Sequence, residues 1–405
     1  MIEQLRYFLL WLTSILFLAN LIHSFFYLRA SAASTDESTN RKIYYPLFIA
    51  FFGAMVFSLL APSITLMWVA IELTTLVSAP LIAFHRSKGS LEAMWKYLLI
   101  CSIGIGLALF GTMIVLHAQS TGDLQWYKVG FVFVLAGYGT KMGLAPFHTW
   151  LPDAHSEAPA PVSAMLSGAL LNCSFFAIAR FRLLMPDEID AFCDWSLVAL
   201  GLLSLLTAAV FMVRQTDFKR LLAYSSVEHM GLIAILFALL GLNGFSDATE
   251  RSPVNDILVD AIFVHIAAHS LTKTMMFQLA GNLLLAFKTR AIAAVQGLRT
   301  SMRGHSLLWT TGTLLICGMP PSLLFLTELC LVVAAPITLA AVVLVLLFAV
   351  FAAMTKISLG MTMGKVANRP QPIPHTLMVV PAFLFTFLVI AGIVFSLLET
   401  ISSAM

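Results

Sequence analysis

Hydrophobic positions fall along this chain in about twelve long blocks, at 7–28, 43–61, 63–84, 94–117, 127–149, 160–182, 195–213, 220–242, 257–286, 306–335, 337–362 and 375–397. Each is close to the roughly 20 residues that an α-helix needs to cross a bilayer core. The pattern therefore predicts an all-α integral membrane protein of about twelve transmembrane helices. Two blocks are interrupted by proline, the fifth at "LAPFHTWLP" and the tenth at "GMPPSLL". Proline frees backbone groups that lipid cannot satisfy, so a broken helix is expected only where it lines a wet cavity or is covered by protein. Small residues at Ser31–Ala33 offer a leader cleavage site behind the first block, but the length of that block favours a retained helix.

Composition agrees. Hydrophobic residues make up 60% of the chain and charged residues 11%, against roughly 25% charged in an ordinary soluble domain. The net charge of +3 is small and no basic run with interleaved aromatics appears, which argues against a nucleic-acid partner. The five cysteines stand singly, without CxxC or His/Cys ligand spacing, and read as packing residues. Pooling alternate loops places fifteen Lys and Arg on the side of the first loop and five (Arg6, Lys128, Arg180, Arg182, Arg251) on the other. By the positive-inside rule the basic side is cytoplasmic, and both termini face outward from an inner membrane.

Three lysines remain inside blocks: Lys141, Lys273 and Lys356. A charge at mid-helix costs about 2.5–3.5 kcal/mol on insertion scales, so each needs a partner or water. Glu72, Glu228 and Glu328 also lie in apolar surroundings. Taking blocks two to six and seven to eleven as two units, Glu72 corresponds to Glu228, Lys141 to Glu328 and Asn172 to Lys356, and the two proline breaks coincide. An odd number of spans per unit inverts the second copy, which predicts two inverted five-helix repeats with broken helices near mid-membrane. The expected divisions are 1–42, 43–182, 195–362 and 375–405.

His265, His269 and Lys273 recur every four residues in block nine, which puts them on one helical face as a ladder of titratable groups. A zinc site is disfavoured, because no acid intervenes and lysine is a poor ligand. Lys219 and Arg220 read as interfacial anchors at the basic end of block eight, with Glu228 and His229 deeper in that block. Lys356 is close enough to the basic side to snorkel. Asp153, Glu157 and Asp260 read as interfacial groups. No nucleophile elbow, phosphate loop or dinucleotide fingerprint is present, so no cofactor is expected in this chain.

The segments "KMGLAPFHTWLPDAHSEAPAPVSAMLSG", "DFKRLLAYSSVEHMG", "HSLTKTMMFQLAGN" and "GMPPSLLFLTE" together resemble the antiporter-like, proton-conducting subunits of respiratory complex I, Mrp antiporters and membrane-bound hydrogenases, with wording closest to hydrogenase-4 component F. The resemblance runs from about residue 45 to 365. It implies a switching pair at Glu72 and Lys141, a central relay at His265, His269 and Lys273, and an exit at Glu328. It also implies a lysine where this chain has Asn172, about two further N-terminal spans, and a long lateral C-terminal helix. The function implied is H⁺ translocation within a multi-subunit complex, driven by redox chemistry in partners: other membrane subunits and a peripheral cytoplasmic module. The alternatives are a proton-conducting subunit that energises uptake of inorganic carbon or another solute by a zinc-containing partner, and a non-pumping scaffold.

Overall fold

The computed structural model describes residues 1–32, 38–244, 253–366 and 368–404. Arg251 and Ala33, which figured in the loop count and the leader site, lie outside them. The chain is a helical bundle in which only one isolated bridge, Asp217 to Ala291, is strand-like among the described residues. In order the helices are α1 Ile2–Ala32, α2 Ser38–Leu60, α3 Ile64–Ile82, α4 Lys88–Thr121, α5 Leu124–Met142, α6 Trp150–Glu157, α7 Ala160–Met165 and α8 Leu171–Arg182. They continue as α9 Asp190–Met212, α10 Phe218–Leu242, α11 Pro253–Phe287, α12 Leu298–Ser301, α13 Arg303–Ile316, α14 Leu323–Ala334, α15 Ile337–Met363 and α16 Val379–Ala404. Side chains cap several starts: Ser63, Ser87, Asp123, Asp217 and Ser322 each accept from a backbone N–H in the first turn.

Eleven segments among the described residues are long and apolar enough to cross a membrane. The tenth block, 306–335, is not one helix but two short ones, α13 and α14. The fifth block breaks in the same way, into α5 and α6. Both breaks follow one plan: a glycine in the left-handed region, Gly143 at φ 83° and Gly318 at φ 64°, followed three residues later by the proline of a cis peptide, Pro146 and Pro321. Glycine takes that conformation without the Cβ clash that other residues meet, so each helix ends where its glycine stands. A further irregularity, one π-helical turn at Leu166–Leu170, joins α7 to α8.

In lipid, helices gain little from hiding apolar side chains, so close backbone approach and buried polar contacts carry much of the association. The α4–α5 contact shows this: a Cβ on Gly137 would lie 2.4 Å from the backbone nitrogen of Ala108, and one on Gly111 2.6 Å from that of Val134. Gly137→Val therefore meets backbone that cannot step aside, at a cost of about 1–3 kcal/mol for overpacking. We expect a lower thermal unfolding midpoint in detergent, with Gly106→Val, which faces open space, as the neutral control. Helix α11 is the central post and packs against α1, α7, α10, α13, α14 and α16. The segment Ala160–Arg182 is buried along its length, whereas α15 and α16 turn much of their surface outward.

Candidate functional site

The break after α5 places Lys141 one turn before Pro146, with its side chain fully buried. Its Nζ donates to Thr75 Oγ1 at 2.8 Å and to the Tyr97 hydroxyl at 2.6 Å. Thr75 in turn donates to Glu72 Oε2 at 3.3 Å, and Ser102 donates to Glu72 Oε1 at 2.9 Å. Lys141 and Glu72, the switching pair that the resemblance implies, are thus joined through a hydroxyl. The physical reason is position: Glu72 is only partly buried, on the outer side of α3, while Thr75 faces inward. The threonine relays the carboxylate to the ammonium. Tyr97 also shares a hydrogen bond with Ser78 at 2.7 Å, so Lys141 sits in a small hydroxyl cage between α3, α4 and α5.

Asn172 does not face Lys141. Its amide Nδ2 donates to Gly168 O at 2.8 Å and to Ser270 Oγ at 2.9 Å, which aims it at α11. Its Oδ1 is buried without a hydrogen-bond partner among the described residues.

On α11, His265, His269 and Lys273 are all fully buried. They do not bond to one another; neighbouring helices bridge them. His229 Nδ1 lies 3.1 Å from His265 Nε2, and His229 Nε2 lies 2.9 Å from Ile316 O, the last residue of α13. His265 Nδ1 lies 2.8 Å from Thr327 Oγ1 on α14. The His269 ring stands 5.0 Å from that of His229, centroid to centroid, with neither nitrogen hydrogen-bonded among the described residues. Lys273 donates to Leu222 O at 2.6 Å and closely to Ser225 Oγ. Glu228, buried on α10, lies within charge range of Lys273. The ladder is therefore a two-helix structure, and His229 is its cross-piece to the second break.

Glu328 stands partly buried on α14, its carboxylate folded back against Gly318 so closely that a Cβ there would overlap it. The glycine that ends α13 thus also makes room for the acid. Lys356, in contrast, is exposed on α15, and nothing brings it to the ladder. Asp260 is exposed at the far end of α11.

At the basic side Asp153 pairs with Lys96 at 3.0 Å and with Arg220 at 2.7 Å, and Glu157 pairs with Arg290 at 2.7 Å. Arg220 behaves as an interfacial residue, but Lys219 does not. It is fully buried and donates to Ser156 O at 3.1 Å and Ala158 O at 2.6 Å, closing off the carbonyl end of α6. A lysine at a helix start reads as an anchor by sequence; here the end of α6 lies within its reach and draws it inward.

Residues 61–355 match the family described as "NADH:quinone oxidoreductase/Mrp antiporter, TM". The chain belongs to this family. The match spans both breaks, the Lys141 cage and the α10–α11 cross-links; Lys356 falls one residue beyond it, and α1 lies wholly before it. A "Hydrogenase-4 component F homolog" of Methylacidiphilum infernorum is 38% identical over 71% of this chain and 62% of its own length. The chain thus spans less than two thirds of that relative. Among solved structures, a chain of the Mrp complex from Dietzia sp. DQ12-45-1b superposes with a TM-score of 0.83 at 19% identity, covering 97% of this chain and 81% of its own. A chain of the membrane-bound sulfane sulfur reductase, an archaeal respiratory membrane complex, gives 0.80 at 23% identity, covering 95% and 79%. At those identities the likeness is one of fold.

Sequence reasoning missed Thr75, Ser102 and Tyr97 around Lys141, and Thr327 beside His265. Single hydroxyls on separate helices leave no pattern in sequence. His155, also missed, is fully buried and stacked on Phe277 with centroids 4.8 Å apart.

Proposed function

We propose that the chain is a proton-translocating, antiporter-like membrane subunit of a multi-subunit complex, not an enzyme alone, and that a partner's redox reaction drives it. The observation that carries this is the buried cluster on α10 and α11: Lys273, His269, His265 and His229 lie on adjoining turns and end at Ile316 and Thr327, on either side of the second break. A bundle that only had to be stable would fill these positions with apolar side chains, since ionisable groups at membrane depth are expensive. Groups that gain and lose protons readily, set close together with His229 and His265 in direct bonding reach, can pass a proton from ring to ring.

In this reading Glu328 is the exit group, and the Glu72, Thr75 and Lys141 chain acts by charge. Movement of the carboxylate toward or away from Thr75 changes how well the Lys141 cage tolerates an ammonium. Glu72, partly exposed on α3, is the member a neighbouring membrane subunit can touch. The basic ends of the helices face the cytoplasm of the inner membrane, where a peripheral module docks; the redox centres lie in those partners. The named relatives support a respiratory or hydrogenase-type assembly. The test is proton flux per redox turnover in vesicles carrying the intact complex. Lys141→Ala and Glu328→Gln are each expected to lower it, and unchanged coupled flux in both would overturn the reading.

A further inference from the structure

At the basic end of the bundle Lys96, Arg220 and Arg290 each have a carboxylate beside them. A second basic cluster at that end has none. Arg303, His305 and His375 line a cleft of about 500 Å³ between the start of α13 and the strap 370–375 that leads toward α16, and no Asp or Glu is among the described residues that line it. Arg303 and His375 are exposed, and His375 lies within charge range of His305.

Two observations show what this cleft is built to take. Helix α13 begins in it, at Arg303, and no side chain caps that start. The N–H groups of a first turn have no intrahelical acceptor and carry the positive end of the helix, which makes such a turn a seat for an oxyanion. Gly304 leaves this backbone open, since a Cβ there would meet only Met378 Cε, at 3.5 Å. The second observation is His305 itself. It is buried to 9% exposure, yet its Nε2 has no hydrogen-bond partner among the described residues, and a buried polar atom left unpaired costs about 1–3 kcal/mol. An anion in the cleft offers the ring an acceptor and balances two imidazoles and a guanidinium that otherwise repel one another when charged.

The rim of the cleft continues as lipid-facing surface. Leu307, one turn below Arg303 on the same face of α13, is 61% exposed, and Val379 and Phe383, one turn apart on α16, are 59% and 69% exposed. A group held in the cleft therefore has bare apolar side chains beneath it. A zwitterionic headgroup would bring an ammonium of its own among basic side chains, with no acid to receive it.

We propose that the cleft binds the phosphodiester headgroup of an anionic phospholipid through the first-turn N–H groups of α13, Arg303, His305 and His375, with the acyl chains along Leu307, Val379 and Phe383. Basic pockets between membrane helices on the cytoplasmic side recognise such headgroups by charge. The strap that forms one wall lies beyond the residues that match the family, and it is tied to the ladder helix: Gln371 N–H donates to Ala286 O at 2.8 Å and Asn282 Nδ2 to Leu377 O at 3.1 Å. The lipid thus braces α13 against a strap that holds the basic end of α11. The site stands on its own geometry and does not require that this chain move protons.

The test is lipid retention by the intact complex, stripped in mild detergent, titrated with dioleoyl phosphatidylglycerol or dioleoyl phosphatidylcholine, and read by native mass spectrometry. Arg303→Gln, at an exposed position, and His305→Phe, which keeps a ring in place, are each expected to weaken retention of one phosphatidylglycerol about tenfold, equivalent to about 1.4 kcal/mol. Lys365→Gln removes an exposed basic residue of the same side that does not line the cleft and is expected to leave retention unchanged. Wild-type retention in both cleft variants would overturn the site, as would an equal loss in Lys365→Gln, which would reduce the effect to general surface charge. Phosphatidylcholine held as tightly as phosphatidylglycerol at the position the variants disturb would overturn the anionic headgroup. Inorganic phosphate and glycerol phosphate are expected not to displace the lipid at equal concentration; displacement there would overturn the lipid and assign the cleft to a soluble phosphate.

Discussion

Replacing Lys273 with alanine is expected to reduce proton flux about a hundredfold, the low end of what a positioned proton-transfer group contributes, while the complex still assembles and its partner still turns over. The expectation follows from what the ammonium holds. Its donors go to Leu222 O and Ser225 Oγ on α10, both within the first two turns of that helix, so it ties α10 to α11 below the His229 and His265 contact. Alanine removes a buried cation that lies within charge range of Glu228 and of the histidines. Those bonds also predict a structural effect: Leu222 O is already the acceptor of Ser226 Oγ at 3.3 Å and Ser225 Oγ donates back to it at 3.1 Å, so the backbone carbonyl keeps partners after the lysine is gone. The loss should therefore appear in flux and little in assembly, and Lys273→Arg, whose planar head cannot release a proton, should fail in flux as well. Flux in Lys273→Arg equal to wild type would show that fixed charge, not proton exchange, is what the position supplies.

Much of the fold could be read in advance because the bilayer reduces it to a count of apolar lengths. The two breaks were legible for the same reason: a proline in such a run leaves unsatisfied backbone that has to be accommodated. What hydropathy could not show was where the tenth block divides. Cys317 and Met319 keep the window apolar across the turn, and only the left-handed Gly318 marks where α13 stops. The π-turn at Leu166–Leu170 left no sequence signal either, since every residue in it is compatible with an ordinary helix.

For the site, residue type was informative and partnership was not. Lys141, Lys273 and the histidines stand out because titratable groups are rare at membrane depth, and all are buried as such groups must be if they are to work. Their partners lie far off in the chain: Thr75 is 66 residues from Lys141 and Ser270 is 98 from Asn172. Thr and Ser are ordinary helix residues in membranes, so nothing in composition picks these out from those that bond back to their own helix, as Thr386 does to Ala382. Lys356 errs in the opposite direction. By type it belonged with the other lysines, but α15 turns it outward.

Lys219 gives the second large expected effect. Lys219→Glu should prevent the subunit from accumulating in the membrane, whereas Arg220→Glu, its exposed neighbour, should be tolerated far better. At position 219 the new carboxylate would be buried against Ala158 O and Ser156 O, acceptors facing an acceptor, with Asp217 two residues away. An uncompensated buried charge of this kind costs about 3–5 kcal/mol, a large part of the 5–15 kcal/mol that usually separates folded from unfolded chains. Lys219→Met shows how the bonds divide. Ser156 O keeps its bond from Arg290 at 2.8 Å, while Ala158 O is left with only Ser163 Oγ at 3.5 Å. One weakened carbonyl costs about 1–3 kcal/mol, offset in part because no ammonium has to be buried. The order expected in thermal unfolding of the detergent-solubilised subunit is therefore wild type, then Lys219→Met, with Lys219→Glu not recovered. Recovery of Lys219→Glu at wild-type levels would mean that the α6 end opens to water at the basic side, and that Lys219 is the surface anchor its position in the sequence suggests.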